Sequence, residues 1–316
     1  AVAVLAGDVG GCLGGLEQGL ERPGDVPGVL GDVALHPDFA DNGVIYLSYA
    51  ESGVGGVYGA AVVRAVLNLT DRGGYLSDAS VIWRQYPKVV GYGHYGHRLL
   101  FDEDGYLWIT SGERQKFTPS QDMQSNMGKI LRLHDDGRIP ADNPFAGRGD
   151  ALPEIYRYGH RNIQGAALEP ASGRLWTHEH GPQGGDEINL PEPGVNYGWP
   201  VISYGKEYWG PVAVGEGTHR KGMEQPIKQY TPSIAPGSLL LYSGKAFPAW
   251  RGNLFAGALK LRHINRVTLD AKGNALGEER LLSDLDERIR ALAESPQGWI
   301  YFSTDSGKVY RIKPGP

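Results

Sequence analysis

Four short segments carry side chains whose types and spacing could do chemistry. In Gly91-Tyr92-Gly93-His94-Tyr95-Gly96-His97-Arg98, glycines flank a histidine and leave its ring open to a flat ligand. His94 can then serve as a general base, with His97 structural; the competing reading is a turn histidine bonded to backbone. In Tyr158-Gly159-His160-Arg161-Asn162, the Arg161-Asn162 step offers donors for a carboxylate, a phosphate or a quinone oxygen, or else a bridge that locks a sheet edge. His178-Glu179-His180-Gly181-Pro182 puts two histidines on one strand face, like a metal pair, yet no third nitrogen or sulfur ligand accompanies them. The tight Gly181-Pro182 turn exposes carbonyls suited to calcium, which Asp186 and Glu187 could join. Lys260, Arg288 and Arg290 form a basic group in which alternation sets both arginines on one face, ready for a polyanion or for local ion pairs with Asp284, Asp286 and Glu287.

These segments need a scaffold, and a repeated turn supplies one. The tetrad Gly, any residue, aliphatic, aromatic occurs as Gly43 to Tyr46, Gly105 to Trp108, Gly173 to Trp176, Gly252 to Phe255 and Gly298 to Tyr301. Most copies follow a Pro- or Asp-rich turn, and the spacing is of supersecondary size. With 47 glycines, 21 prolines and no sustained helical periodicity in 316 residues, the chain is expected to be all-β. The expected architecture is a six-bladed β-propeller of four-stranded antiparallel blades, at roughly 50 residues per blade. Five blades are visible; the sixth is expected from the weakly patterned N-terminal segment, about residues 1–31, together with the C-terminal SGKVYRIKP. No Ser/Gly-rich or charged linker interrupts the units, so residues 1–316 are read as one domain.

A net charge of -5 argues against a nucleic-acid or anionic-membrane surface. No apolar run reaches membrane-spanning length, so no membrane insertion is expected, and the start AVAVLAGDVGG lacks the basic region of a signal peptide, as a processed chain would. The single cysteine, Cys12, excludes an intrachain disulfide and a cysteine-based zinc site.

Taken in order, LHPDFADNGVIYLSY, GHYGHRLLFDEDGYLWITSGE, QDMQSNMGKILRL, EIYRYGHRNIQG, HGPQGGDEINLPEPGVNYGWP, PSIAPGSLLLYSG, LFAGALK and ERIR resemble the soluble quinoprotein glucose/sorbosone dehydrogenases, most closely their aldose sugar dehydrogenase branch. The resemblance runs from about Asp32 onward. It implies a six-bladed propeller that binds pyrroloquinoline quinone (PQQ) and Ca2+ and oxidises aldose sugars at C1 to lactones, passing electrons to an acceptor of unknown identity. It further implies that His94 is the base that takes the anomeric proton while hydride leaves C1, and that Arg161 and Asn162 contact the quinone oxygens. The Gly181 and Pro182 carbonyls would hold the calcium, Lys260, Arg288 and Arg290 the PQQ carboxylates, and Ser233 and Asp305 would lie near the cofactor. A periplasmic or secreted location follows from the same resemblance.

The chain departs from the family pattern at three places. Pro27-Gly28-Val29 stands where relatives carry Gln-Gly-Gly, Gly93 replaces an acid or Asn before the histidine, and Ala291 replaces an acid that would orient the arginines. The loop Ser203 to Met223 is expected to set sugar selectivity, and its Glu207 or Glu216 could hold a second calcium or be a solvated surface acid. Two other functions fit the same expected fold. A calcium-dependent propeller lactonase would need converging carboxylates and no use for the basic group. A non-catalytic sugar-binding propeller would use the 7 tryptophans and 17 tyrosines as platforms and need no base.

Overall fold

The computed structural model describes residues 30–170, 172–190 and 192–315. They form five antiparallel up-and-down sheets. The first holds β1 (Leu30–Leu35), β2 (Val44–Ser52), β3 (Tyr58–Thr70) and β4 (Gly73–Arg84); the second holds β5 (Gly96–Phe101), β6 (Leu107–Ser111), β7 (Lys129–Leu133) and β8 (Ile155–Tyr158). The third holds β9 (Ile163–Leu168), β10 (Leu175–Glu179), β11 (Asp186–Asn189) and β12 (Lys228–Tyr230); the fourth holds β13 (Pro236–Leu241), β14 (Leu254–Ala258), β15 (Ile264–Leu269) and β16 (Ala275–Leu281). The fifth has only three strands, β17 (Ile289–Glu294), β18 (Ile300–Thr304) and β19 (Val309–Ile312).

Each of the five tetrads opens the second strand of a sheet: β2, β6, β10, β14 and β18. Its glycine takes positive φ in all five copies, 64° to 81°, a conformation only glycine adopts without strain, so the preceding chain can reverse into the strand. The aromatic that ends the tetrad is buried in four of them, at Tyr46, Trp108, Trp176 and Phe255. Local turn chemistry and core burial therefore come from the same four residues.

The expected sixth blade is not found among the described residues. SGKVYRIKP, assigned to that blade from sequence, instead supplies β19, the outer strand of the three-stranded fifth sheet. The N-terminal segment expected to complete it, with the Pro27-Gly28-Val29 departure, lies outside the described residues up to residue 29. No helix among the described residues is long and apolar enough to cross a membrane.

By internal contacts the chain falls into two compact units, one ending at Tyr156 and the other starting at Arg157. In the first unit, β1 runs beside β5, and Gly31 passes so near His97 that a Cβ would overlap the imidazole. In the second, β9 runs beside β13, where Gly165 backs onto the His178 ring and Leu239, and β13 runs beside β17, where Gly237 meets the carbonyls of Ile289 and Arg290. First strand thus packs on first strand, as in neighbouring propeller blades. The cores lie between these faces: Trp176, Ile188, Leu239, Leu254 and Val267 in one cluster, Tyr242, Phe255, Ile264, Ile289 and Ile300 in another.

Candidate functional site

In the first unit, His94 precedes β5 at φ 53°, and Glu113 follows β6. The turn between β5 and β6 brings the two together, with His94 Nδ1 hydrogen-bonded to Glu113 Oε1. Glu113 is buried, and its other oxygen accepts the backbone N–H groups of Lys116 at 2.5 Å and Phe117 at 2.7 Å. With Glu113 Oε1 as the acceptor for an Nδ1–H, Nε2 is left as the basic nitrogen of the ring. The flanking loops are fixed by Arg114, whose guanidinium donates to the carbonyls of Gly93 (2.8 Å), Tyr58 (2.5 Å) and Gly91 and lies 3.7 Å above the Tyr95 ring. Buried Lys129 secures the far end of the same loop, donating to Pro119, Ser120 and Met127 carbonyls at 2.7, 3.0 and 2.8 Å; burial pushes its ammonium down to about 7.

His97, read from sequence as structural, is buried beside Tyr95, and neither ring nitrogen has a hydrogen-bond partner among the described residues. Burial, with Arg98 and Arg114 nearby, pushes it down to about 3, so it stays neutral. The Glu113 partnership could not be assigned from sequence, because the two residues stand nineteen positions apart. Its only signal was an acid ending the matched stretch that also holds His94, GHYGHRLLFDEDGYLWITSGE.

In the second unit, the other sequence candidates are linked by one run of contacts. Arg161 is buried; Nη1 donates to the carbonyls of His180 and Gly181, both at 2.9 Å, its backbone N–H is held by Glu179, and its guanidinium lies 5.2 Å from the Trp199 ring. Its Nε is buried with no hydrogen-bond partner among the described residues. Asn162 Oδ1 accepts Gln164 Nε2 at 3.0 Å, while its backbone carbonyl takes the His180 N–H at 3.1 Å. The Gly181 N–H donates to Asp186 Oδ1 at 2.9 Å, and the same carboxylate accepts the Ser233 hydroxyl at 2.7 Å and the Ala235 N–H at 2.9 Å. From there the Leu259 and Lys260 amides bond the Ala235 and Ile234 carbonyls, and Arg288 Nη1 bonds the Leu259 carbonyl at 3.0 Å. Pro182 follows in the same wall, where the buried turn residue backs onto Gly205.

Arg288 and Arg290 share one carboxylate. Arg288 Nε donates to Asp305 at 2.7 Å, and Arg290 donates through Nε and Nη2 at 2.8 and 3.0 Å. Arg290, then Arg288, hold Asp305 below the usual carboxylate range. Asp305, from the turn between β18 and β19, thus orients both arginines. The arginines pair with Asp305 rather than with the acids next to them in sequence: Glu287 binds Lys308 and Ser306, and Asp286 binds Arg262. The Lys260 ammonium has no hydrogen bond or ion pair among the described residues and is exposed.

A shallow recess, open to solvent, is lined by Arg161, Glu179, His180, Gly181, Glu187 and Trp199 with their neighbours. Glu179 and Glu187 face each other across β10 and β11, and Asn189 Nδ2 bonds both, at 3.3 and 3.2 Å. Glu179 also accepts His160 Nδ1 at 2.8 Å and the Arg161 N–H. Burial and then the Glu179 carboxylate push Glu187 up to about 8. His178 and His180 do not form a metal pair: His178 packs under Gly165, His180 Nε2 donates to the Pro236 carbonyl at 2.7 Å, and no His/Cys/Asp/Glu metal cluster occurs among the described residues. Glu216, a candidate second calcium ligand, pairs with Arg220 at 3.1 Å on the surface.

Repeated four-stranded up-and-down sheets opened by one turn motif make this an all-β protein of the propeller class. Within that class, the chain belongs to the Glucose / Sorbosone dehydrogenase family, whose sequence profile matches residues 24–311. It is 42% identical over 293 residues to the aldose sugar dehydrogenase YliI of Escherichia coli (strain K12), a match that covers 91% of this chain and 77% of that protein. Among solved structures, it is similar to the apo-form soluble aldose sugar dehydrogenase of Escherichia coli (TM-score 0.84, 39% identity, 92% of this chain and 85% of that one). It is also similar to the PQQ-bound aldose sugar dehydrogenase of Streptomyces coelicolor (TM-score 0.74, 26% identity, 94% and 82%).

Proposed function

We propose that this protein is a quinoprotein dehydrogenase that oxidises aldose sugars at C1 to lactones with PQQ and calcium, outside the cytoplasm, and gives its electrons to an external acceptor. The observation that carries this reading is the imidazole of His94 held through Nδ1 by the buried Glu113 carboxylate, in a chain whose relatives include aldose sugar dehydrogenases.

The residues present fit the cofactor. Among the described residues Arg161 keeps a buried Nε without a partner and Lys260 an unpaired ammonium, and Arg288 with Arg290 set two guanidinium groups against one carboxylate, so positive charge is in excess for a polycarboxylate. Arg161 and Asn162 would donate to the quinone oxygens, Lys260, Arg288 and Arg290 would meet the carboxylates, and Ser233 and Asp305 would orient these groups. The fit to calcium is one of donor type: the Gly181 and Pro182 carbonyls are hard oxygen ligands, and the Glu179 and Glu187 side chains line the same recess as Gly181.

When bound, PQQ would supply the hydride acceptor and calcium a Lewis acid. His94 Nε2 accepts the proton of the anomeric hydroxyl as the C1 hydride departs. Glu113 fixes the tautomer and stabilises the imidazolium that results. Arg161, pinned by two carbonyls and the Trp199 face, keeps its fork fixed and needs no rearrangement during the reaction.

Titrating PQQ into wild type and the Arg288→Ala/Arg290→Ala double variant, with calcium present, tests the cradle. Loss of two charge-assisted contacts should weaken binding by about tenfold or more. Equal affinity would remove both arginines from the site.

A further inference from the structure

We propose that the Gln115 carboxamide is a sugar-binding group beside His94 and determines which aldoses are accepted; this rests on the dehydrogenase reading above. Gln115 stands in the loop after β6, where Arg114, Gln115 and Phe117 all take positive φ (59°, 59° and 63°), as does His94 (53°). Side chains other than glycine resist that conformation, and a run of them survives where surrounding contacts over-determine it, characteristically at binding and catalytic sites. Those contacts are present. Glu113 holds the Lys116 and Phe117 amides, and Arg114 holds the Gly91 and Gly93 carbonyls.

The outcome is a close approach that only glycine permits. A Cβ on Gly93 would lie 2.5 Å from Gln115 Cδ, 2.6 Å from Oε1 and 2.8 Å from Nε2. The carboxamide therefore rests flat on Gly93, the residue directly before His94, and fills the space a side chain at position 93 would take. Gln115 is exposed, and its amide makes no hydrogen bond among the described residues. One acceptor and two donors are thus presented, unspent, against the residue that precedes His94. An aldose bound for attack at its anomeric hydroxyl carries neighbouring hydroxyls, each both donor and acceptor, and a carboxamide can meet two of them at once. Apolar or anionic ligands would gain nothing from this neutral amide.

The test uses the PQQ- and calcium-loaded protein with glucose and its 2-deoxy and 3-deoxy analogues, in wild type, Gln115→Ala and Gln115→Asn. Wild type should prefer glucose over at least one deoxy analogue by about tenfold in kcat/KM, and Gln115→Ala should abolish that preference by raising KM for glucose, with kcat nearly unchanged. Gly93→Ala, which displaces the amide, should act in the same direction and add nothing in the Gln115→Ala background. If wild type oxidises aldoses and Gln115→Ala keeps the same KM values and the same preference, the Gln115 assignment falls alone. If wild type oxidises no aldose, the dehydrogenase reading falls and takes this assignment with it.

Discussion

Acid should loosen the first unit through His97. This imidazole is buried against Gly31 with neither nitrogen hydrogen-bonded among the described residues, and desolvation, reinforced by Arg98 and Arg114, lowers it from 6.5 to about 3. The unfolded chain therefore binds a proton that the folded chain refuses between those pH values, so stability is complete above pH 6.5 and declines as pH falls toward 3. At 1.36 kcal/mol per pH unit, the loss is about 2 kcal/mol by pH 5 and about 5 kcal/mol by pH 3. Many carboxylates also contribute to acid sensitivity, so the informative quantity is the difference from His97→Leu, which fills a similar volume and does not titrate. Urea unfolding of both proteins at pH 7, 6 and 5 measures it. The gap between them should move in favour of the leucine variant by about 2 kcal/mol from pH 7 to pH 5. Parallel curves would mean that His97 is protonated, or finds a partner, inside the fold.

Two further predictions concern the sites themselves. Glu113→Gln should lower kcat by roughly 10²-fold with little change in KM, because an amide cannot accept from His94 and from both backbone N–H groups as a carboxylate does; steady-state kinetics with any accepted aldose would detect it. An unchanged kcat would free the imidazole from that carboxylate. Glu187, held up to about 8, is a carboxyl that folding forces to keep its proton, so its contribution is lost as pH rises from the ordinary carboxylate range through 8. Glu187→Gln should accordingly be more stable than wild type at pH 8 and equal to it at pH 4, by thermal unfolding, and the reverse order would show that Glu187 is ionised in the recess.

Much of the scaffold could be read from the chain because turn and core signals coincide in the tetrads, whose glycines reverse the chain and whose aromatics enter the core. The blade count went astray where that coincidence ends. SGKVYRIKP has strand alternation with no tetrad of its own, so nothing in its pattern told an outer strand of the fifth sheet from the start of a sixth. Candidate site residues stand out in the sequence where neighbours mark them, as with Arg161-Asn162 or Gly181-Pro182. Partnerships between distant residues were not. Glu113 with His94, Asp305 with the two arginines and Asp186 with Ser233 all join separate strands or turns, and Gln115 became notable only because Gly93 leaves room for it. The alternation that suggested a metal pair at His178 and His180 was real, but Gly165 and the Pro236 carbonyl use those rings.

The central claim is oxidation at C1 with His94 as base. Its most direct test is rapid mixing of PQQ- and calcium-loaded protein with glucose or C1-deuterated glucose, following quinone absorbance through a single turnover. The expected result is one quinone reduced per protein, more slowly from the deuterated sugar, and a rate that collapses in His94→Ala while PQQ stays bound. Bound quinone that glucose fails to reduce, or a His94→Ala protein that reduces it at the wild-type rate, would contradict the account.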